Sequence, residues 1–389
     1  MAKMDAMLGS NAWHPSSGVS VAVLLVAFSS GCGQVLGASF GEEEPIPECE
    51  LSVPVQPPDI IGSEGDEDIV LVIHEVDLGE SRGPDGEFKY FAMGHDQDGS
   101  CSGPFDPHPC LPPAWTAGRP QDGPEGRDNA AGRLIRQQAE LSAVTTVGTE
   151  AANADTLSGQ AAPFGMLRIR DFTGLPEDDS VTVDFYVPLA PKQADPEAEE
   201  PRFDGSYPFP IELSSLAGVT EADAGELVTA DSRFRDTSAY VNRNTVVARF
   251  EGVPLGLFAA RVVTYDLVVE AQLEWDSDTG LWNVVDGMLS GVFPVEGVLE
   301  TIPQLSVEAA PKTLCMDNPF YFAVKRLLCS APDLQLDQGV DYGSDVCNAL
   351  SFGVAFKGAP ALLGVALEFD DPAPLCSADV DPANDDCFE

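Results

Sequence analysis

The sequence predicts a mainly β protein: an antiparallel β-sandwich or jelly-roll-like domain, followed by a small disulfide-bonded, partly helical C-terminal module. Three observations carry this. Val263, Tyr265, Leu267, Val269, Ala271, Leu273 and Trp275 are apolar at consecutive odd positions, opposed by Thr264, Asp266, Glu270, Gln272 and Glu274. A period of two marks a half-buried strand. Several shorter runs are separated by loops drawing on 36 Gly and 32 Pro, which suits many strands joined by turns. Beyond residue 305 the pattern changes to a segment carrying Cys315, Cys329, Cys347, Cys376 and Cys387.

In chain order, residues 1–31 read as a leader, 32–66 as an acidic Pro-rich tether, 67–305 as the β domain and 306–389 as the Cys-rich module. Ile69–Ile73 is a buried strand, and Glu87–Ala92 reads as its neighbour. Asp128 or Asn129 N-caps a helix through Leu134, Ile135 and Ala139. Leu167–Phe172 and Val181–Val187 alternate as strands. Asp276–Gly280 turns the long strand into a partner running from Leu281 to about Val292. Lys192–Glu200 is an acidic surface loop or a seam between two β halves. In the module, a helix over Asn318–Leu328 would place Phe322, Val324, Leu327 and Leu328 inward, with a second helix near Ser344–Leu350.

The charge excludes one class of partner. With 64 acidic and 20 basic side chains the net charge is −44, and such a field repels phosphate backbones, so nucleic acid is not an expected ligand. Solubility in an exposed setting accounts for the charge without any ligand.

The N-terminus indicates export. Val19–Phe28 is apolar but too short to span a bilayer, which takes about 20 residues, and it suits a signal-peptide core. Ser29-Ser30-Gly31-Cys32 follows and resembles a bacterial lipobox. That resemblance implies cleavage before Cys32, lipidation of its thiol and attachment to a membrane. Two features depart from the pattern: the segment before the apolar run is long, with Lys3 its only basic residue, and Ser29 stands where a branched aliphatic is usual. Gly33 and Gln34 come next, with no Asp at the sorting position. By the same resemblance this points to the outer rather than the inner membrane, with the chain periplasmic or surface-exposed. Setting Cys32 aside leaves eight cysteines: Cys49, Cys101, Cys110, Cys315, Cys329, Cys347, Cys376 and Cys387. An even number in an exported chain suits four disulfides, with Cys101–Cys110 the expected local bridge, further pairs within the C-terminal set, and Cys49 pairing at long range.

Asp122–Asn129, Leu167–Gly174, Glu177–Val181, Phe203–Ser206 and Cys347–Gly353 carry short acidic motifs in that order. Together they resemble a group of uncharacterised lipoproteins of myxobacteria. The resemblance implies localisation and no particular activity.

Catalytic signals are weak. Gly37-Ala-Ser39-Phe-Gly41 matches the GxSxG string, but a nucleophile elbow needs a strand before it and a helix after it, and this one lies in the tether. Neither a phosphate-binding loop nor a dinucleotide-binding glycine pattern is present. His74, His95 and His108 are the histidines after the leader, and no sequence feature places a serine beside any of them. His95, Cys101, His108 and Cys110 could bind zinc only as thiolates, which an oxidising compartment disfavours.

Calcium is the more reasonable ion. Asp96-Gln-Asp98-Gly99-Ser100 is similar to the start of an Asp-rich calcium loop, although such residues also form plain turns. Asp122, Asp128 and Asn129, and Asp379, Asp381, Asp385 and Asp386, are further oxygen clusters. The expectation is an exported, lipid-anchored envelope protein, a non-enzymatic surface binder of protein or glycan or a structural protein. The alternative is an envelope hydrolase acting on extracellular polymers. Trp115, in a Pro-rich loop, is a candidate contact residue.

Overall fold

In the computed structural model the described residues are 53–58, 65–101, 103, 110–113, 121–140, 148–257, 260–304, 313–337, 345–369 and 374–387. Cys32, Ser39, Cys49, His108 and Trp115 lie outside them. The described residues belong to one compact unit.

Its strands are β1 (Glu67–Asp77), β2 (Gly165–Phe172), β3 (Glu177–Tyr186), β4 (Pro208–Glu212), β5 (Phe234–Asn242), β6 (Thr245–Phe250), β7 (Val253–Leu257), β8 (Ala260–Asp276), β9 (Leu281–Pro294), β10 (Ala349–Pro360) and β11 (Leu362–Leu367). The helices are α1 (Ala130–Glu140), α2 (Thr149–Leu157), α3 (Pro191–Ala194), α4 (Val295–Leu299) and α5 (Tyr321–Cys329).

The mainly β class holds, but the sheet closes on itself instead of splitting into a sandwich. Hydrogen bonding runs β6-β5-β3-β2-β1-β10-β9-β8, and β8 then pairs back to β6. Every neighbouring pair is antiparallel. The 17-residue β8 makes closure possible, because its first part pairs with β7 and its later part with β6. The result is an eight-stranded up-and-down barrel, a size whose interior side chains can fill. Leu71, Leu167, Ile169, Val183, Phe185, Val241, Val246, Leu267, Val269 and Ala271 fill it at 0% exposure, in one apolar core.

The two ends of the barrel differ. One end carries short connections: residues 173–176, the two-residue turn Arg243-Asn244 and residues 277–280. Arg243 and Asn244 both have positive φ (52° and 63°), the twist-matched hairpin turn. From the other end depart the long insertions 78–164, 187–233 and 295–348. A second apolar cluster lies outside the barrel, where β4 and β11 pair in parallel and cover Val72, Met166 and Tyr186 with Phe209 and Ile211.

Several expectations need correction. Glu87–Ala92 is not a strand. Both edges of β1 are taken by β2 and β10, and Lys89–Ala92 forms a 3-10 turn. Residues 306–389 are not a separate module, since Ala349–Pro360 is a barrel strand between β1 and β9. For the same reason no helix covers Ala349 and Leu350. The helix expected from Asn318 begins at Tyr321, with Leu328 buried but Phe322 65% exposed. Lys192–Glu200 is a surface segment opening with α3.

In β8 the alternation is real, but its phase inverts. Leu267, Val269, Ala271 and Leu273 are buried, whereas Val263 and Tyr265 are 43% and 37% exposed, and Val262 and Thr264 point inward instead. Asp266 sits at φ 48° where the register with β9 shifts, so it is a β-bulge that exchanges the two faces.

The disulfides also depart from expectation. Cys110 bonds Cys347, 237 residues away, and not Cys101. Cys315–Cys376 and Cys329–Cys387 form within the C-terminal set, as expected. Cys101 is disulfide-bonded as well, to a cysteine outside the described residues.

Candidate functional site

The outer wall of β8, β9 and β10 is lined with small and polar side chains, and part of the first insertion lies flat on it. Gly353 of β10 makes the approach possible, because a Cβ there would stand 2.4 Å from the backbone nitrogen of Gly94. The Gly94 N–H faces Met288 Sδ at 3.2 Å, and Asp128 N–H donates to His95 O at 3.1 Å, joining residues 93–100 to residues 121–129. Asn129 then caps α1: its Oδ1 accepts from Gly132 N–H at 2.8 Å while its Nδ2 donates to Gly353 O at 2.9 Å.

This packing gathers three carboxylates. Oxygens of Asp96, Asp98 and Asp128 all lie within 4.8 Å of one another. Gly99, at φ +73°, turns the loop so that its own N–H donates to Asp96 Oδ1 (2.7 Å) and that of Ser100 to Asp98 Oδ1 (2.8 Å). Asp128 Oδ2 accepts from Gln97 N–H at 2.8 Å.

The electrostatics are unfavourable for three bare anions. Burial, reinforced by repulsion from Asp98, pushes the Asp96 carboxyl up to about 6. Burial likewise raises Asp98. Asp128, 2% exposed, is pushed well above the carboxylate range by burial and then by repulsion from Asp98, Asp333 and Asp122. Asp333, held by Ser351 N–H (3.0 Å) and Ser351 Oγ (2.5 Å), is raised by burial to about 6. An all-oxygen donor set with this spacing fits a hard cation ligated at 2.3–2.6 Å, and a cation would remove the repulsion.

Of the expected ligands, Asp96 and Asp98 are therefore together, and Asp128 joins them from the other oxygen cluster. Asn129 does not, since its oxygen caps α1. The C-terminal acids disperse: Asp381 caps a 3-10 turn through Ala383 N–H, and Asp379 accepts from Ser377 Oγ. Burial works against ionisation of Asp385, but Lys325 (2.6 Å) and Tyr321 Oη (2.8 Å) hold its carboxyl below the usual range.

Beside the triad lies an arrangement the sequence did not signal. His95, 1% exposed, contacts Ser290 Oγ through Nδ1 and Glu270 Oε2 through Nε2 at 2.9 Å. Gln97 Nε2 also donates to Ser290 Oγ, at 3.0 Å. These are the residue types of a hydrolytic triad, but Ser290 is 0% exposed and its oxygen is held by two side chains of the overlying loop. What this geometry does is pin residues 95–97 to the barrel wall. The zinc cluster does not form, because Cys101 and Cys110 are both in disulfides. His74 stacks on Phe203 at 4.6 Å, and burial holds its imidazole below the usual range.

No family model, curated protein sequence or solved structure matches this chain. The functional reading accordingly stands on the site and the cysteines.

Proposed function

We propose that the protein is an exported lipoprotein, anchored through Cys32 in the cell envelope, with the outer membrane the favoured site. Its barrel serves there as a non-enzymatic scaffold or as a binder of protein or glycan. The observation that carries this is the cysteine pattern: seven of the nine cysteines are disulfide-bonded in the described chain, in pairs that tie distant segments together. Whichever of Cys32 and Cys49 completes the bridge to Cys101, one remains, and Cys32 stands where the lipobox-like string puts a lipid. Disulfides of this density belong to oxidising compartments. The test is the intact mass of protein made with its own leader, with and without alkylation. An acylated chain starting at Cys32 with no alkylatable thiol is expected; an unprocessed chain with free thiols would defeat the reading.

Within that scaffold the acidic triad takes a calcium ion, which offsets the repulsion among Asp96, Asp98 and Asp128 and fastens residues 93–100 and 121–129 to the barrel. A hydrolase alternative running through Ser290 would have to reach an oxygen that lies beneath Gln97 and His95. Calcium at millimolar concentration should raise the melting temperature relative to chelator, through linkage. An unchanged midpoint would remove the ion from the account without touching the lipid anchor.

A further inference from the structure

We infer that a cleft between the first insertion and the start of α1 binds one neutral sugar ring of a glycan. The inference deepens the binder reading proposed above and rests on it. The cleft has a volume of about 170 Å³, and its lining includes Tyr90, Phe91, Gln121, Asn129, Arg133 and Asp333. The fold holds these parts in place without a ligand. Gly132 lets α1 meet the 3-10 turn directly, since a Cβ there would stand 2.6 Å from Tyr90 Cβ. Tyr90 N–H donates to Gly79 O at 3.0 Å, and Asn129 Nδ2 donates to Tyr90 O at 3.2 Å. Ser351 Oγ accepts from Ala130 N–H at 2.8 Å and donates to Asp333 at 2.5 Å, which joins the start of α1 to this buried carboxyl. A preformed site loses little ordering entropy when it binds.

The polar groups left uncommitted are of both kinds. Tyr90 Oη and the Gln121 amide have no hydrogen-bond partner among the described residues. Arg133 makes one hydrogen bond, Nη2 to Ala331 O at 3.3 Å, and no ion pair, in a chain with 64 acidic side chains to 20 basic. N–H donors of Arg133 and Gln121 thus stand with the acceptor oxygens of Gln121 and Asp333, and the Tyr90 hydroxyl can act either way. A sugar hydroxyl is donor and acceptor at once, so this mixture suits a ring bearing several of them. Tyr90 and Phe91 supply apolar surface for the C–H face of the ring. Other ligand classes match less well. An anion would meet Asp333 and the field of a chain with net charge −44. A cation would meet Arg133, and a wholly apolar ligand would strip water from these polar groups without replacing it. Size limits the occupant to a single ring. The cleft is smaller than the ~300 Å³ at which drug-sized sites begin, and the neighbouring Phe88 is already stacked by Arg82 at 4.0 Å and Arg136 at 4.3 Å.

The test is saturation-transfer NMR on the full chain with its disulfides formed, using the methyl glycosides of glucose, galactose, mannose and N-acetylglucosamine. At least one should take up saturation at its ring C–H protons, with the millimolar Kd expected of a single small ring. Gln121→Ala, at an exposed position, should weaken that sugar roughly five-fold, the loss of one hydrogen bond. The double variant with Arg133→Ala should weaken it by roughly ten-fold or more at an unchanged melting temperature. Absence of transfer to all four sugars overturns the inference. Transfer that survives the double variant also overturns it, since glycan binding would then lie elsewhere on the chain. Glucuronate saturated more strongly than the glucose glycoside would refute the neutral assignment. A preparation with alkylatable thiols and no acyl chain defeats the exported-binder reading itself, a result seen by mass and separate from the sugar titrations.

Discussion

The middle parts of strands β8, β9 and β10 are covered on both faces, but with opposite chemistry. Inward they present Leu267, Val269, Leu289, Phe352 and Val354 to the barrel core. Outward they present Glu270, Ser290 and Ser351 to an insertion that brings His95, Gln97 and Asp128. The inner face is stabilised by removing apolar area from water, which neither pH nor calcium alters. The outer face is stabilised by hydrogen bonds around carboxylates with raised pKa, so its contribution depends on conditions. Stability in this molecule therefore has an unconditional part and a conditional part, separated by the thickness of one strand.

Truncation inside the barrel should have the largest effect. Phe185 is fully buried, packs edge-to-face on Phe250 and covers Gly165, whose missing Cβ leaves room for the ring. Phe185→Ala should cost about 3–5 kcal/mol in urea unfolding, equally with calcium or chelator. A loss that depended on calcium would mean the two faces unfold as one unit, and the division just drawn would fail.

The Cys110–Cys347 bridge joins the insertion to the start of β10. Replacing both cysteines with serine should cost roughly 2–4 kcal/mol. Hydrogen exchange should then show residues 93–100 and 121–129 losing protection before β1 and β2. Uniform loss would place the bridge within the barrel's own cooperative unit.

The conditional face has a pH signature with a definite sign. Asp96 and Asp333 are held near 6, against 3.8 for the ordinary carboxyl. The folded chain therefore binds more protons than the unfolded chain between those values. Without calcium, these groups make stability fall as pH rises from about 4 through about 6. Asp68, Glu75 and Asp231 work the other way: hydrogen bonds from Arg168, Lys357 and Arg235 hold them low. Their contribution is lost only as pH drops below about 4. Asp128→Asn should raise the calcium-free stability at pH 7 by about 1–3 kcal/mol, flatten this slope and abolish the calcium response. A variant that loses stability at pH 7 and still responds to calcium would show that Asp128 is paid for by partners other than an ion.

Much of the unconditional part was legible in the sequence. The alternation in Leu167–Phe172, Val181–Tyr186 and Leu267–Leu273 marks strands because one face meets an apolar core. The closure of the barrel was not legible, since it depends on β8 being long enough to pair with two successive strands on one edge. The turn holding Asp96 and Asp98 could be read from its Asp-x-Asp-Gly pattern, a local signal. Asp128 could be read as a helix cap or as part of a separate oxygen cluster but not as a partner of Asp96 and Asp98, because what brings it to the loop is Gly353 admitting the backbone of Gly94. Ser290 and Glu270 looked like ordinary outward residues of strands. Nothing local announces that another segment will cover them.

Asp266 shows how a correct periodicity can still mislead, and it supports the smallest of the expected effects. The apolar odd positions from Val263 to Trp275 suggest a single buried face. At φ 48° Asp266 adds a bulge, so the positions before it turn over. A left-handed backbone is costly for a residue with a Cβ, and this one also lies beside Glu251, whose carboxyl is raised by burial and then by repulsion from Asp266. Asp266→Gly would relieve both costs, while the unfolded chain would gain entropy and offset part of the relief. The net expectation is a stabilisation below ~1 kcal/mol at neutral pH, with the bulge and the face exchange intact. Destabilisation instead would indicate that the Asp266 side chain holds the bulge in place, and that the inversion of faces in β8 depends on this one carboxylate rather than on the closure of the barrel.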